Sequence, residues 1–330
     1  MPTASILGES DGDVRMAGRL LREGHLVALP TETVYGLAGN ALIEDTVRRI
    51  FSVKGRPLID PLIVHVHEWK QVEELCPDIP PLARQLADAF WPGPLTLILP
   101  KAPSVSDLLT AGNPTVAVRM PAHPLARRIL QAADIPVAAP SANPFGYISP
   151  TCAAHVMDSL GERIEWIVDG GPCQKGIEST IVDVSGPGAL RLLRPGPLSP
   201  EILSASLDGT PIDSRPPGET DKPVAPGLLT RHYSPHTPLL LVSHGELPPR
   251  APEGRCAWLA ISRAHAEASP SGYERYWFSE TGALEDIAQS LFAMLRSLDA
   301  QGYARIYIER PPADGLGLAL IDRLTRAAAR

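Results

Sequence analysis

The chain lacks any apolar run near the ~20 residues that a membrane-crossing helix needs, and its longest candidates, such as "PLTLILP", have the length of a strand. A soluble protein is expected. Cysteine is scarce: four thiols in 330 residues (Cys76, Cys152, Cys173, Cys256) lie far apart, with no C-x-x-C pair, which excludes a disulfide-rich scaffold. With no signal peptide visible at its start, the expectation is a reduced, cytoplasmic protein. Positive charge is not in excess. Lys plus Arg total 30 against 37 Asp plus Glu, a net charge of -7, so no general attraction to nucleic acid or anionic membrane is expected and any anion site is local. Both common nucleotide signatures, G-x-x-x-x-G-K-[ST] and G-x-G-x-x-G, are absent, so a nucleotide site would be built another way.

What is there is ordinary for a globular protein: 44% hydrophobic and 20% charged residues, in a chain long enough for two domains. Proline is abundant, 36 of 330 residues or about 11%, and many prolines fall at strand or helix entrances, where no donor is lost. Helical spacing of apolar residues predicts a first helix over Gly12 to Glu23, followed by the strand "LVALP". Short β-branched segments follow ("PLIVHV", "LTLILP", "TVAVRMP", "IPVAAPSAN", "WIVDGG", "STIVDV", "LRLLRPG"), with helices predicted over Glu44 to Phe51, Pro81 to Phe90, Pro124 to Ala133 and Thr151 to Leu160. This reads as an α/β domain with a large mixed sheet, residues 1–207. Residues 208–238 are dense in Pro, Gly and polar side chains, a linker unusually long for a mere connection. Residues 239–330 alternate strands ("PLLLVS", "CAWLAI", "RYWFS", "YARIYIER") with helices over Leu284 to Asp299 and Leu318 to Ala329, a smaller α/β domain with a mainly parallel sheet.

Cations set into apolar segments are the first chemical signal: Lys54 and Arg56 before "PLIVHV", Arg119 inside "VAVRMP", and Arg194 closing "LRLLRPG". One such guanidinium is ordinarily paired with a local carboxylate, but four at comparable positions point to an anion, because an unpaired buried charge costs several kcal/mol. The loop "APSANPFGYISPT" after "IPVA" offers Ser141, Asn143 and a turn at Gly146, at a strand end where open α/β sheets bind ligands. Ser149 reads equally as a helix N-cap or as a hydroxyl holding phosphate with helix amides. Ser179 and Thr180, at the start of a strand, read as structural hydroxyls, and "LPTETVYGLAGNA" clusters Thr31, Thr33 and Tyr35 as a small polar site or a turn. His65 and His67 share one strand face without a third ligand motif, so neither they nor His232 and His236 are taken as metal ligands.

In order along the chain, "PTETVYGL", "KGRP" with "PLIVHV", "WPGPLTLIL", "VAVRMPAHP", "APSAN" with "SPT", and "GIESTIVD" resemble the YrdC-like domain of threonylcarbamoyl-AMP synthases over about Leu20 to Leu203. "APGLLTRHYSPHTP" resembles the segment that leads into the C-terminal domain of the long-form enzymes. The resemblance implies an open twisted mixed sheet with a basic concave groove, followed by a Rossmann-like domain. It implies ligation of bicarbonate or CO2 to L-threonine as a carbamate, attack on the α-phosphate of ATP, release of pyrophosphate, and Mg2+ held mainly by the phosphates rather than by protein ligands. The product then feeds a separate tRNA threonylcarbamoyl transferase complex, with at most weak tRNA contact here. Carried over by motif, Lys54 and Arg56 would be catalytic. Arg56, Asp60, Thr115, Ser141, Asn143, Ser149, Arg194 and Tyr233 would line the ATP site, with Tyr233 folding back over the nucleotide. Thr33, His65, Arg119, Ala139 and Ser179 would hold threonine. Asp60 stands where the family usually has asparagine, a charge expected to weaken ATP binding or recruit the metal, and "GLLTRHYSP" departs from the family at positions expected to be harmless. The alternatives are a carbamoyl-adenylate-forming enzyme of the same fold and a non-enzymatic RNA-binding module.

Overall fold

The computed structural model describes residues 3–186, 190–215, 223–228, 232–251 and 253–329, so residues 216–222 and 229–231 of the expected linker lie outside the described part. The N-terminal module runs β1 (Ser5–Leu7), α1 (Asp11–Arg22), β2 (Val27–Leu29), β3 (Gly36–Asn40), α2 (Glu44–Lys54), β4 (Ile63–His65), α3 (Trp69–Leu75), α4 (Pro81–Phe90), β5 (Leu95–Pro100), α5 (Asp107–Thr110), β6 (Thr115–Arg119), α6 (Pro124–Ala133), β7 (Val137–Ala138), α7 (Ala153–Leu160), β8 (Trp166–Val168), β9 (Thr180–Asp183), β10 (Arg191–Arg194) and α8 (Pro200–Ala205). The C-terminal module follows with β11 (Leu239–Val242), β12 (Cys256–Ser262), α9 (Arg263–Glu267), β13 (Tyr273–Ser279), α10 (Leu284–Asp299), β14 (Arg305–Glu309) and α11 (Gly317–Ala328).

Local chemistry accounts for the principal elements. Ser10 caps α1 by accepting from the Asp13 amide, Asp11 and Asp13 sit in its first turn, Arg19 and Arg22 in its last, and Val14, Ala17, Leu20 and Leu21 form the buried stripe. Helix α6 opens on Pro124 and buries Leu125, Ala126, Ile129, Leu130 and Ala133. These two helices cross at Gly18, where a Cβ would come within 2.8 Å of the Ala132 backbone. Helix α2 ends on Lys54, and Gly55 at its C-cap, with a positive φ of 64°, turns the chain so that Arg56 leads into the approach to β4.

The ten N-terminal strands form one mixed sheet in the order β1-β8-β2-β3-β7-β4-β6-β5-β9-β10. Parallel β4 and β6 are in a register that pairs His65 with Arg119, and parallel β5 and β9 pair Leu95 with Thr180. The C-terminal strands form a wholly parallel sheet, β11-β14-β12-β13. One apolar cluster joins the modules, with Val34, Ile148, Ile177 and Tyr233 packing among Leu291, Phe292 and Leu295.

Three sequence expectations change. Helix α7 starts at Ala153 with Cys152 at the cap, so Ser149 is not an N-cap and has no helix amides beside it, and the expected helix start at Thr151 moves by two residues. Part of "LPTETVYGLAGNA" is strand β3 rather than turn, and the Tyr35 ring is buried with its hydroxyl donating to the Gly171 carbonyl at 2.8 Å. The short elements β1, α3, α5, α8 and α9 had no sequence signal strong enough to predict them.

Candidate active site

One cavity gathers Thr31, Thr33, Arg56, His65, Arg119, Ala139, Ser141, Glu178, Ser179, Arg194, His232 and Tyr233, with Val34, Gly36, Ile63, Pro140, Pro226 and Gly227 completing its wall. Of the residues singled out by motif, Thr33, Arg56, His65, Arg119, Ala139, Ser141, Ser179, Arg194 and Tyr233 therefore meet in space. Lys54, Asp60, Thr115, Asn143 and Ser149 stand outside this lining. Glu178 was not singled out, and His232 was weighed only as a metal ligand. Each is sequence-adjacent to a residue that was singled out, and a carboxylate inside an anion site has no motif to announce it.

Each guanidinium is buried and held by loop residues next to the strands. Arg119, at the end of β6, donates to the Thr33 hydroxyl at 2.9 Å, to Glu32 Oε1 at 2.6 Å and to the Gly93 carbonyl at 3.3 Å. Arg194, at the end of β10, donates twice to the Ser179 carbonyl (2.9 and 3.1 Å), once to its hydroxyl (3.1 Å) and once to the Pro226 carbonyl (3.3 Å). Arg56 donates to the carbonyls of Asp60 (3.0 Å) and Pro61 (2.7 Å) and lies 2.9 Å from Asp60 Oδ2. That last contact is an ion pair in poor hydrogen-bonding alignment, so among the described residues neither Asp60 carboxylate oxygen has a well-formed hydrogen bond. Burial raises the Asp60 pKa, while Arg56, Lys54 and Arg194 pull it back.

Lys54 is arranged differently. Its ammonium donates to the carbonyls of Ser141 (2.6 Å) and Asn143 (2.5 Å), and Asn143 in turn donates to the carbonyls of Pro144 and Tyr147. Burial, reinforced by Arg56 and opposed by Asp60, pushes the Lys54 pKa well below the usual lysine range. In this arrangement Lys54 shapes the Ser141 loop from behind the wall.

His65 is pushed down to about 3, first by burial and then by Arg119, so at neutral pH the imidazole adds no charge. Among the described residues its Nδ1 has no hydrogen-bond partner, nor have His232 Nδ1 and the Tyr233 hydroxyl in the same wall. Buried polar atoms are ordinarily paired, so three orphans converging on one cavity indicate a polar ligand that completes them. Tyr233 reaches its place with a positive φ of 62°, stacked on Phe292 at 5.5 Å and in edge contact with His232 at 4.1 Å.

Residues 19–196 match the family described as telomere recombination, the Sua5–YciO–YrdC group, and residues 198–329 match the threonylcarbamoyl-AMP synthase C-terminal domain. The chain belongs to the threonylcarbamoyl-AMP synthase family. It is 41% identical over 325 residues to the threonylcarbamoyl-AMP synthase of Pyrococcus abyssi, covering 96% of this chain and 94% of that one. It is 40% identical over 328 residues to that of Bacillus subtilis, covering 98% and 94%. The crystal structure of P. abyssi Sua5 complexed with L-threonine superposes with a TM-score of 0.88 at 38% identity, covering 98% of each chain.

Within the family a divalent ion would accompany ATP. Among the described residues Glu178 is the only carboxylate in the cavity wall, and both its oxygens are engaged, by the Ser149 hydroxyl at 2.6 Å and by Arg323 at 2.8 Å. Among the described residues the one three-ligand cluster, His67, Glu68 and Asp134, is outside that wall, with His67 Nε2 2.9 Å from Asp134. The donor set of the cavity does not fit a protein-held cation.

Proposed function

We propose that the protein makes L-threonylcarbamoyladenylate from L-threonine, bicarbonate or CO2, and ATP, with release of pyrophosphate. Three buried guanidinium groups facing one cavity carry this reading, because three anionic reactants, a carboxylate, a carbamate and a triphosphate, must meet there. The relatives' printed names and the L-threonine complex support it.

Arg119 takes the threonine carboxylate, exchanging part of its contact with Glu32 and Thr33 for the substrate. Thr33, Ser179 and the neutral His65 supply the remaining polar contacts. The threonine amine, unprotonated, forms its C–N bond to CO2 as one C=O π pair moves to oxygen, and the N–H proton passes to water, leaving a carbamate. One carbamate oxygen then attacks the α-phosphorus. The new O–P bond forms as the bond to the β-phosphate oxygen breaks, and pyrophosphate leaves with that electron pair. Arg56 and Arg194 balance charge on the triphosphate, Ser141 and the loop held by Lys54 position it, and the family resemblance adds Asn143, Thr115 and Ser149 as ATP contacts from outside the cavity wall. Mg2+ held by the phosphates would supply further charge neutralisation. Most of the catalysis then comes from positioning and fixed charge.

Residues 1–207 form the catalytic part and residues 208–238 a lid. The cavity, about 50 Å³, has room for only a few waters, and outward movement of His232 and Tyr233 would admit ATP, their return closing on it and excluding water from the adenylate. The product passes to a tRNA-modifying transferase complex in the cytoplasm. Among the described residues no helix is long and apolar enough to cross a membrane.

The test is pyrophosphate release from ATP with Mg2+, with L-threonine and bicarbonate supplied together, each omitted, and L-serine replacing L-threonine. Release that needs both and prefers L-threonine is expected. Release driven by carbamoyl phosphate instead, or RNA retention without turnover, overturns the reading.

A further inference from the structure

Glu178 poses a problem for an anion site, since it puts a carboxylate in the same wall as Arg56 and Arg194. Left to itself, it would be drawn to the nearest cation and cancel a charge the nucleotide needs. The C-terminal module supplies the answer. Arg323, on α11, is fully buried, and its Nε donates to Glu178 Oε2 at 2.8 Å. Its other nitrogens donate to the Pro195 carbonyl at 3.0 Å and to Asp322 Oδ2 at 2.6 Å, and its guanidinium carbon lies 5.3 Å from the centre of the Tyr233 ring. Arg323 thus touches Glu178 beside Ser179, Pro195 beside Arg194, and Tyr233 itself. Arg194 meanwhile has only carbonyl and hydroxyl partners, and among the described residues no carboxylate is paired with it. A second C-terminal arginine secures the same corner: Arg296 donates to the Ile148 carbonyl at 2.5 Å and to the Ser149 carbonyl at 3.4 Å.

We propose that Arg323 is a positioning residue for ATP: by capturing Glu178 from across the module boundary it leaves the Arg194 charge free for the nucleotide. This gives the C-terminal module a part in adenylate formation that goes beyond packing, and it rests on the synthase reading above. Loss of Arg323 releases Glu178 toward Arg194 and weakens ATP, while Arg119 and the threonine contacts keep their geometry. Removing the Glu178 charge at the same time removes the competitor.

The experiment uses the full chain and pyrophosphate release, with ATP varied at saturating L-threonine and L-threonine varied at saturating ATP. Wild type is measured first, and no threonine-dependent release there overturns the synthase reading and this inference with it. With wild type active, Arg323→Met is expected to raise KM for ATP about tenfold or more while KM for L-threonine stays within about twofold. The double variant Arg323→Met with Glu178→Gln is expected to return within about threefold of wild type for ATP. If Arg323→Met does not yield folded protein, Arg323→Lys with and without Glu178→Gln gives the same comparison, since lysine keeps the charge but not the fork. Equal rises in both KM values, or a double variant no better than the single one, would show that Arg323 only holds the modules together and overturn the inference.

Discussion

Replacing His65 by glutamine should flatten the dependence of folding stability on pH. The imidazole is 5% exposed, and its pKa is lowered from 6.5 to about 3, by burial first and by Arg119 second. A base held neutral in the fold takes up its proton more readily in the unfolded chain. The stabilisation is therefore complete above pH 6.5 and is lost as pH falls toward 3, because between those values only the unfolded state binds the proton. The slope is about 1.4 kcal/mol per pH unit. Between pH 7.5 and pH 4.5, about two of those units lie in the sensitive window, so His65 accounts for about 2–3 kcal/mol of the loss. Burial shifts His155 and His232 in the same direction, so the informative quantity is the difference between wild type and His65→Gln, which cancels their share. Urea unfolding followed by far-ultraviolet circular dichroism at the two pH values supplies it. A variant that loses as much stability as wild type over that interval would refute the assignment of a neutral His65, and with it the view that Arg119 alone supplies the cation for the threonine carboxylate.

Arg119→Ala is expected to raise KM for L-threonine by about 100-fold, and Arg119→Lys to recover little of it, because the guanidinium fork serves Thr33, Glu32 and the substrate at once; steady-state pyrophosphate release measures both. Asp60→Asn is expected to lower KM for ATP by about two- to tenfold, since it frees the Arg56 charge, while Arg56 keeps its two carbonyl partners and stability changes by less than about 2 kcal/mol. The same assay and a thermal melt check it, and an unchanged KM would mean that the Arg56–Asp60 pair does not compete with the nucleotide. Gly176→Ala is expected to cost about 3 kcal/mol or more, because Gly176 has a positive φ of 72° and a Cβ there would lie 2.2 Å from the Ala288 carbonyl oxygen on α10. A thermal midpoint within a degree or two of wild type would show that the modules do not dock through this contact.

Much of this arrangement could be read from the sequence because its signals are local. Pro124 at a first turn and the 3.6-residue spacing of Leu125, Ile129 and Leu130 fix α6 at Pro124–Ala133 as expected, and Pro81 does the same for α4. The arginines were conspicuous because a guanidinium in a β-branched strand contradicts its neighbours, a conflict that sequence alone exposes. Strand β3 was missed because "GLAGN" has neither alternation nor β-branched residues; its pairing with β2 and β7 is tertiary, and Gly39 is there because a Cβ would strike Thr46 and Leu26. The motif carries a phosphate role for Lys54, but the two loop carbonyls its ammonium meets, 87 and 89 residues further along the chain, are not legible in the sequence.

The contacts that decide how charge is distributed were the least legible. Glu178 and Arg323 are 145 residues apart, and no local pattern marks a carboxylate whose cation arrives from another module. From sequence, Glu178 is one acidic residue before Ser179, and Arg323 is one basic residue on a closing amphipathic helix with Asp322 beside it. Only their meeting shows that the wall of the cavity is electrically incomplete without the C-terminal module. Arg194 can give its full charge to a triphosphate only if the carboxylate beside it, Glu178, is held elsewhere. For Glu178 that restraint comes from α11, which is why an enzyme whose lining residues all lie within the first 233 positions has its field set in part by position 323.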